Sequence, residues 1–209
     1  MHTKLQSMIK NVIFDYGKVL VDYSLHNLYD SVFADKKEEM WFIDNVVNLE
    51  FHNQLDLGRP TAECVAEWQT KFPKYKRELA LYDTNYMQLM GDEIPGMRQL
   101  LSKLKQRGLK LFGLSNWGRE KFSIIRRKYP IFELIDGEVV SGDVHVIKPD
   151  PRIFELLCDK YQLTPEECVF TDDKSSNVEA AINIGMKGIV FRNAQQLEEE
   201  LSMLSEKYQ

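Results

Sequence analysis

From Met97 onward the chain alternates helix-period and strand-period segments, and few architectures satisfy that grammar. Met97 to Gln106 reads as a helix ended by Gly108, Leu109 to Ser115 as a strand, and Arg119 to Lys128 as a helix stopped before Pro130. Leu134 to Val140 contains a short strand. Asp150-Pro151 then opens a helix, acid at the N-cap and proline in the first turn, with Ile153, Phe154, Leu156, Leu157 and Tyr161 facing inward. Glu167 to Thr171 reads as a strand, Ser175 to Ile184 as a helix closed by Gly185, Gly188 to Phe191 as a strand, and Ala194 to about Glu206 as an acidic helix. This order predicts βαβ units and a doubly wound parallel sheet of the α/β class. Right-handed crossovers bring the strand ends to one edge.

The sheet begins earlier, at Val12-Ile13-Phe14, which runs into Asp15 and Gly17 as a buried strand ending at a carboxylate on a tight turn. From about Ser24 to about Gly91 the periodicity is helical instead. Leu28, Val32 and Phe33, then Met40, Ile43, Val46 and Val47, recur at spacings near three and four; after the Asp56 to Pro60 turn, Thr61 and Glu63 suit a helix start, Trp68 and Phe72 continue its apolar face, and Leu79, Tyr82, Tyr86, Leu89 and Met90 suggest a further helix. The expected organisation is a core domain of residues 1–21 and 92–209 with a helical cap domain, residues 22–91, inserted after the first strand.

Composition narrows the function classes. With 209 residues, 44% hydrophobic and 28% charged, the chain can bury a sizeable core, and general disorder is excluded. A net charge of −5 disfavours nucleic-acid or anionic-membrane partners, while leaving room for a local basic pocket around one phosphate. Cys64, Cys158 and Cys168 are odd in number and widely spaced, as expected of small core hydrophobes in a reducing compartment. The absence of a long apolar run or signal-like start makes a cytoplasmic protein the expectation, with Met1 to Ser7 as a disordered extension. Glu198-Glu199-Glu200 reads as a solvated helix face, and nothing in the sequence fixes the oligomeric state.

The shared edge receives Asp15 from the first strand, Ser115 and Asn116 from the second, and Asp172 and Asp173 from a later one, with Lys148 before the intervening helix. Taken alone, Asp15 reads as a turn or capping carboxylate, and the aspartate pair as a helix cap. Together, carboxylates converging on one space repel unless a cation offsets them, and an all-oxygen donor set suits magnesium shared with a phosphate. The Ser115 hydroxyl, nearby backbone N–H groups and the Lys148 ammonium are suitable donors to phosphate oxygens.

Phe14 to Leu20, Leu114-Ser115-Asn116, Lys148-Pro149-Asp150-Pro151-Arg152-Ile153-Phe154 and Phe170 to Ala181 resemble the four ordered motifs of the haloacid dehalogenase-like hydrolase superfamily. The resemblance runs from about Ile9 to Phe191 and is narrower to sugar-phosphatase-type members, such as α-glucose-1-phosphate phosphatases, with the helical insert similar to their C1-type cap. It implies a Rossmann-like core and a magnesium-dependent phosphatase of small phosphate esters, with sugar phosphates foremost. Asp15 would be the nucleophile that forms an aspartyl-phosphate, Ser115 and Asn116 would hold the phosphoryl oxygens, and Lys148 would neutralise them and restrain Asp15. The metal would be held by Asp15, the Gly17 carbonyl and Asp173 directly and by Asp172 through water, with Asn177 orienting Lys148 or the acidic pair.

Two positions depart from the commoner pattern. Most phosphatases of the superfamily carry a general-acid aspartate where this chain has Gly17, which favours good leaving groups or a substitute acid from the cap. Lys18 stands where glycine or asparagine is commoner. His52 reads as a core or exposed histidine rather than that acid, His145 is equally uncommitted, and Trp117 either lines the pocket or packs under a loop. The alternatives are a metal-independent haloacid dehalogenase-type hydrolase and a non-catalytic binding protein that kept the fold.

Overall fold

In a computed structural model, which describes residues 8–206, five parallel strands form the central sheet. The strands of the chain are β1 (Asn11–Phe14), β2 (Val21–Tyr23), β3 (Met90–Glu93), β4 (Lys110–Ser115), β5 (Gly137–Val140), β6 (Cys168–Asp172) and β7 (Lys187–Val190). The sheet order is β5-β4-β1-β6-β7. The chain therefore builds outward on one side of β1 and then crosses to build outward on the other. The crevice at the carboxyl end of β1 is the topological switch point, where open α/β sheets hold ligands.

Strand alternation explains the two layers of core. Val12 and Phe14 join Leu111, Val140 and Val169 on one face, while Ile13 joins Phe112, Leu114, Val139 and Phe170 on the other. Tyr16, fully buried, leaves β1 across Gly113 of the neighbouring strand and donates to Glu138 at 2.5 Å. A Cβ at Gly113 would lie 1.8 Å from that hydroxyl, so the crossing requires glycine there.

Helices over His26–Tyr29, Lys36–Asn45, Leu49–Asp56, Thr61–Lys71 and Lys76–Thr84 fill the insert. Phe42, Val46, Phe51, Trp68 and Leu79 belong to the same apolar cluster as Val12 and Phe14. Helix boundaries over Met97–Gln106, Arg119–Lys128 and Ala194–Glu206 coincide with the periodicity. The three cysteines are buried and free, and Asp150 caps its helix by accepting from Arg152 N at 2.9 Å.

Four features differ from or extend the expectations. The stretch after Leu20 and the residues around Met90 pair as an antiparallel two-stranded sheet, β2 with β3; three- and four-residue strands are too short to show periodicity. The helix expected through Met90 ends at Thr84 and passes through a 3-10 turn, Tyr86–Leu89. Thr61 is buried inside the first turn of its helix, where Pro60 stands at the cap position and provides no capping side chain. Lys18 adopts a left-handed backbone, φ 62°, and its N–H donates to Val21 O at 2.7 Å, closing the turn at a cost of about 1–2 kcal/mol for a residue with a Cβ. The expected extension, Met1 to Ser7, lies outside the described residues. Within them, no helix is long and apolar enough to cross a membrane.

Candidate active site

Parallel pairing of β1 with β4 and β6 sets Asp15 beside Ser115 and the Asp172-Asp173 pair. The Asp15 backbone N–H donates to Thr171 O at 2.9 Å, locking the strand end. Ser115 Oγ donates to Asp15 Oδ1 at 2.7 Å, and Lys148 Nζ lies 2.9 Å from the same oxygen. Lys148, almost fully buried, also donates to Asp172 Oδ2 at 2.6 Å and to Leu114 O at 2.8 Å, so its three ammonium hydrogens have three acceptors. Its backbone is held by Asn116, whose Oδ1 accepts from Lys148 N at 2.8 Å and whose Nδ2 donates to Lys148 O at 3.0 Å. The Asn116 side chain is thus committed to positioning Lys148. What this residue can offer an anion is its backbone N–H, which has no acceptor among the described residues.

Burial raises the Asp15 carboxyl to about 6; the Lys148 charge pulls it down, Asp172 pushes it up, and the Ser115 and Lys148 hydrogen bonds favour the anion. Burial alone would lower the Lys148 ammonium, but Asp15 and Asp172 hold it above its ordinary value. Asp172 has no exposed surface, and both its oxygens are engaged: Oδ2 by Lys148 and by Asn177 Nδ2 at 2.9 Å, and Oδ1 by Lys174 N at 2.9 Å. Asn177 therefore serves the acidic pair rather than Lys148. Asp173 accepts no hydrogen bond among the described residues, and its carboxyl is raised by burial and by the Asp172 charge.

Ligand oxygens of Asp15, Asp172 and Asp173 lie within 4.8 Å of one another. This all-carboxylate set fits a hard divalent cation, and the oxygens still free to ligate belong to Asp15 and Asp173. A second acidic group, His26, Asp30 and Glu39, is satisfied by Lys36, whose Nζ lies 2.6 Å from Asp30 and 2.8 Å from Glu39.

A cavity of about 740 Å³ opens above this edge, lined from the core by Asp15, Gly17, Ser115, Asn116, Lys148, Asp173 and Asn177. Asp172 is the one expected site residue absent from the cavity wall. The insert closes the cavity with Tyr23, His52, Asp56, Tyr82 and Tyr86. Trp117 lines the cavity, and its Nε1 donates to Tyr86 Oη at 2.7 Å. His52 has Nδ1 2.9 Å from Asn48 O, so that nitrogen carries the proton and Nε2 accepts from Tyr23 Oη at 3.2 Å. Burial lowers its pKa and so favours the neutral imidazole on the cavity wall. His145 lies outside the cavity wall with Nδ1 2.7 Å from Leu57 O, bridging core and insert.

The sequence places Asp56 in the turn before Pro60, whereas in the structure it ends a helix. Asp56 follows His52 by four residues on the helix Leu49–Asp56, one turn along the same face, and that spacing was the available signal. Burial raises its carboxyl to about 7, with the Lys174 charge pulling it down and Asp15 pushing it up.

The sequence of flavin mononucleotide hydrolase 1 from Arabidopsis thaliana is 31% identical over 111 residues, 53% of this chain and 45% of that protein. Sesquiterpene phosphatase astK from Aspergillus oryzae is 26% identical over 183 residues, 86% of this chain and 88% of that one. The chain spans less than half the length of several curated relatives it matches, down to 10% of acyl-CoA dehydrogenase family member 10 from Mus musculus. Among solved structures, an HAD family enzyme from Bacteroides thetaiotaomicron in a magnesium complex superposes with a TM-score of 0.74 at 17% identity, covering 93% of this chain and 99% of that one. The family model for haloacid dehalogenase-like hydrolase matches residues 9–185, and that span carries the switch-point aspartate, its lysine and the acidic pair. The chain belongs to the haloacid dehalogenase-like hydrolase family.

Proposed function

We propose that the protein is a magnesium-dependent phosphatase of small phosphorylated metabolites, sugar phosphates among them, acting through an aspartyl-phosphate on Asp15. The observation that carries this reading is the Asp15 carboxylate held on one oxygen by Ser115 and by a buried lysine anchored to Asp172. Such anchoring fixes the carboxylate's attack direction, and positioning accounts for most of the catalysis in phosphoryl transfer. Lys148, the Ser115 hydroxyl and the Asn116 N–H would receive the phosphoryl oxygens. Asp15, the Gly17 carbonyl and Asp173 would hold magnesium, with Asp172 behind them, and the bound ion would supply charge neutralisation of the phosphoryl group. The organic part of the ester would lie against Tyr82, Tyr86 and Trp117, whose ring faces suit the apolar face of a sugar or another ring. A relative named sesquiterpene phosphatase and one named flavin mononucleotide hydrolase support this reading.

Purified protein should hydrolyse 4-nitrophenyl phosphate with magnesium and lose that activity in excess chelator. Activity unaffected by chelator, or chloride release from haloacids with no phosphate release, would replace this reading with the metal-independent one. Magnesium binding should also register without turnover. At about 100 times its Kd, a ligand specific to the folded state adds about 2.7 kcal/mol, which raises Tm by several degrees in a chain of this size. Asp173→Asn should remove that rise, and an equal rise in the variant would exclude Asp173 as a ligand.

A further inference from the structure

The phosphatase reading leaves one proton without a donor. When Asp15 attacks phosphorus and the ester bond breaks, the leaving oxygen takes the electron pair, and an alkoxide or sugar oxygen needs a proton at that moment. Gly17 cannot supply it. Nor does its backbone require glycine, because it stands outside the left-handed region and a Cβ there would meet only the Trp117 ring, at 3.7 Å.

Resting on that reading, we infer that Asp56, carried over the core by the helical insert, is the proton donor to the leaving group. Three observations place it. Its backbone carbonyl accepts from Ser141 Oγ at 2.6 Å, and that buried hydroxyl also accepts from Trp117 N at 2.9 Å, tying Asp56 to the loop that follows Ser115 and carries Asn116. The turn behind it is pinned by His145 to Leu57 O, and Gly58, at φ +95°, packs so closely that a Cβ would stand 2.7 Å from Gly142 O. Asp56 lines the cavity shared with Asp15, and its carboxylate accepts no hydrogen bond or ion pair among the described residues.

The surroundings supply the proton affinity. Burial raises the Asp56 carboxyl to about 7; Lys174 opposes the rise, Asp15 adds to it, and Lys148 opposes it. Asp173 and Lys18 face the cavity from the core, Lys121 and Asp44 lie on its wall, and His52, Tyr23, Tyr82 and Tyr86 are the other titratable residues that line it. Lys121 is paired to Asp83 at 2.5 Å and His52 is tied to Asn48, so neither competes for the role.

The steps balance. Asp15 oxygen bonds to phosphorus, the phosphorus–ester bond breaks, and the Asp56 proton passes to the leaving oxygen. Water then attacks the phosphoryl group and gives a proton to the Asp56 carboxylate, and the phosphorus–Asp15 bond breaks to release inorganic phosphate and restore both carboxyl states.

The test compares 4-nitrophenyl phosphate, a good leaving group, with a primary alkyl phosphate. Asp56→Asn should lower kcat/KM, which reports transfer to Asp15 and departure of the leaving group, by about 10²–10⁴-fold on the alkyl ester and by less than about tenfold on the aryl ester, while kcat falls on both because hydrolysis of the shared aspartyl-phosphate also uses the Asp56 carboxylate. Installing Gly17→Asp in that variant should recover alkyl activity. Wild-type kcat/KM for the alkyl ester should fall as pH rises through about 7, the range in which Asp56 loses its proton, and Asp56→Asn should lack that limb. A readout without turnover follows from linkage: because the folded-state pKa lies above the ordinary 3.8, wild-type stability falls as pH rises through about 7, so Asp56→Asn should gain stability relative to wild type over that range. Equal losses of kcat/KM on both esters, or no rescue by Gly17→Asp, would overturn the assignment to Asp56 while aryl activity abolished by Asp15→Asn keeps the nucleophile. A wild-type protein inactive on both esters would overturn the phosphatase reading itself.

Discussion

Asp15→Asn is expected to reduce turnover of 4-nitrophenyl phosphate by about 10⁴–10⁶-fold, the range for loss of a covalent nucleophile. The amide keeps the shape of the carboxylate, and its oxygen can still accept from Ser115 Oγ, but it cannot attack phosphorus. The fold should survive the change. Burial raises the Asp15 carboxyl to about 6, above the ordinary 3.8, so its ionisation weakens the folded state as pH rises through that value. The asparagine variant should therefore be at least as stable as wild type at pH 8, and the difference should shrink toward pH 4. Steady-state kinetics paired with urea unfolding at both pH values checks this. A variant active within tenfold of wild type would remove Asp15 from the chemistry.

Lys148→Ala should produce the largest loss of stability. The ammonium now bridges Asp15 Oδ1 and the fully buried Asp172 Oδ2. Removing it leaves two carboxylates facing each other with only Asn177 Nδ2 and Lys174 N as remaining donors to Asp172. Breaking a buried pair in this way costs about 3–5 kcal/mol. Without the lysine the Asp15 carboxyl loses the charge that pulls its pKa down, so the penalty should be greatest at neutral and alkaline pH and ease as acid protonates Asp15. Phosphatase activity should fall together with stability. A loss below about 1 kcal/mol at pH 8 would mean that solvent or another cation already screens the pair.

Much of this site was legible because α/β topology turns sequence order into spatial order. Asp15, Ser115 and Asp172 each follow an apolar strand, and parallel pairing with a reversal at β1 brings their ends together without knowledge of any long-range contact. Periodicity likewise located the helices over Met97–Gln106 and Arg119–Lys128, which are long enough to show an apolar face. The short β2–β3 pairing was hidden, since Val21–Tyr23 and Met90–Glu93 meet only after the insert has folded between them. Division of labour within the site was hidden for a related reason. Nothing local to Asn116 reveals that its amide is spent on the Lys148 backbone, and nothing local to Asp172 reveals that both its oxygens are engaged while those of Asp173 are free. Asp56 depends on tertiary placement even more strongly. Its burial, and so its proton affinity, arises from docking the insert on Ser141 and His145, residues more than eighty positions away in the chain.

The central claim, a phosphoryl group carried covalently on Asp15, is open to direct observation. Wild-type protein mixed with a phosphate ester and magnesium, quenched in acid during the first turnovers and digested, should yield a peptide spanning Asp15 that carries one added phosphoryl group, absent in Asp15→Asn. Turnover that leaves no modified peptide, or a phosphoryl group on any other residue, would contradict the account.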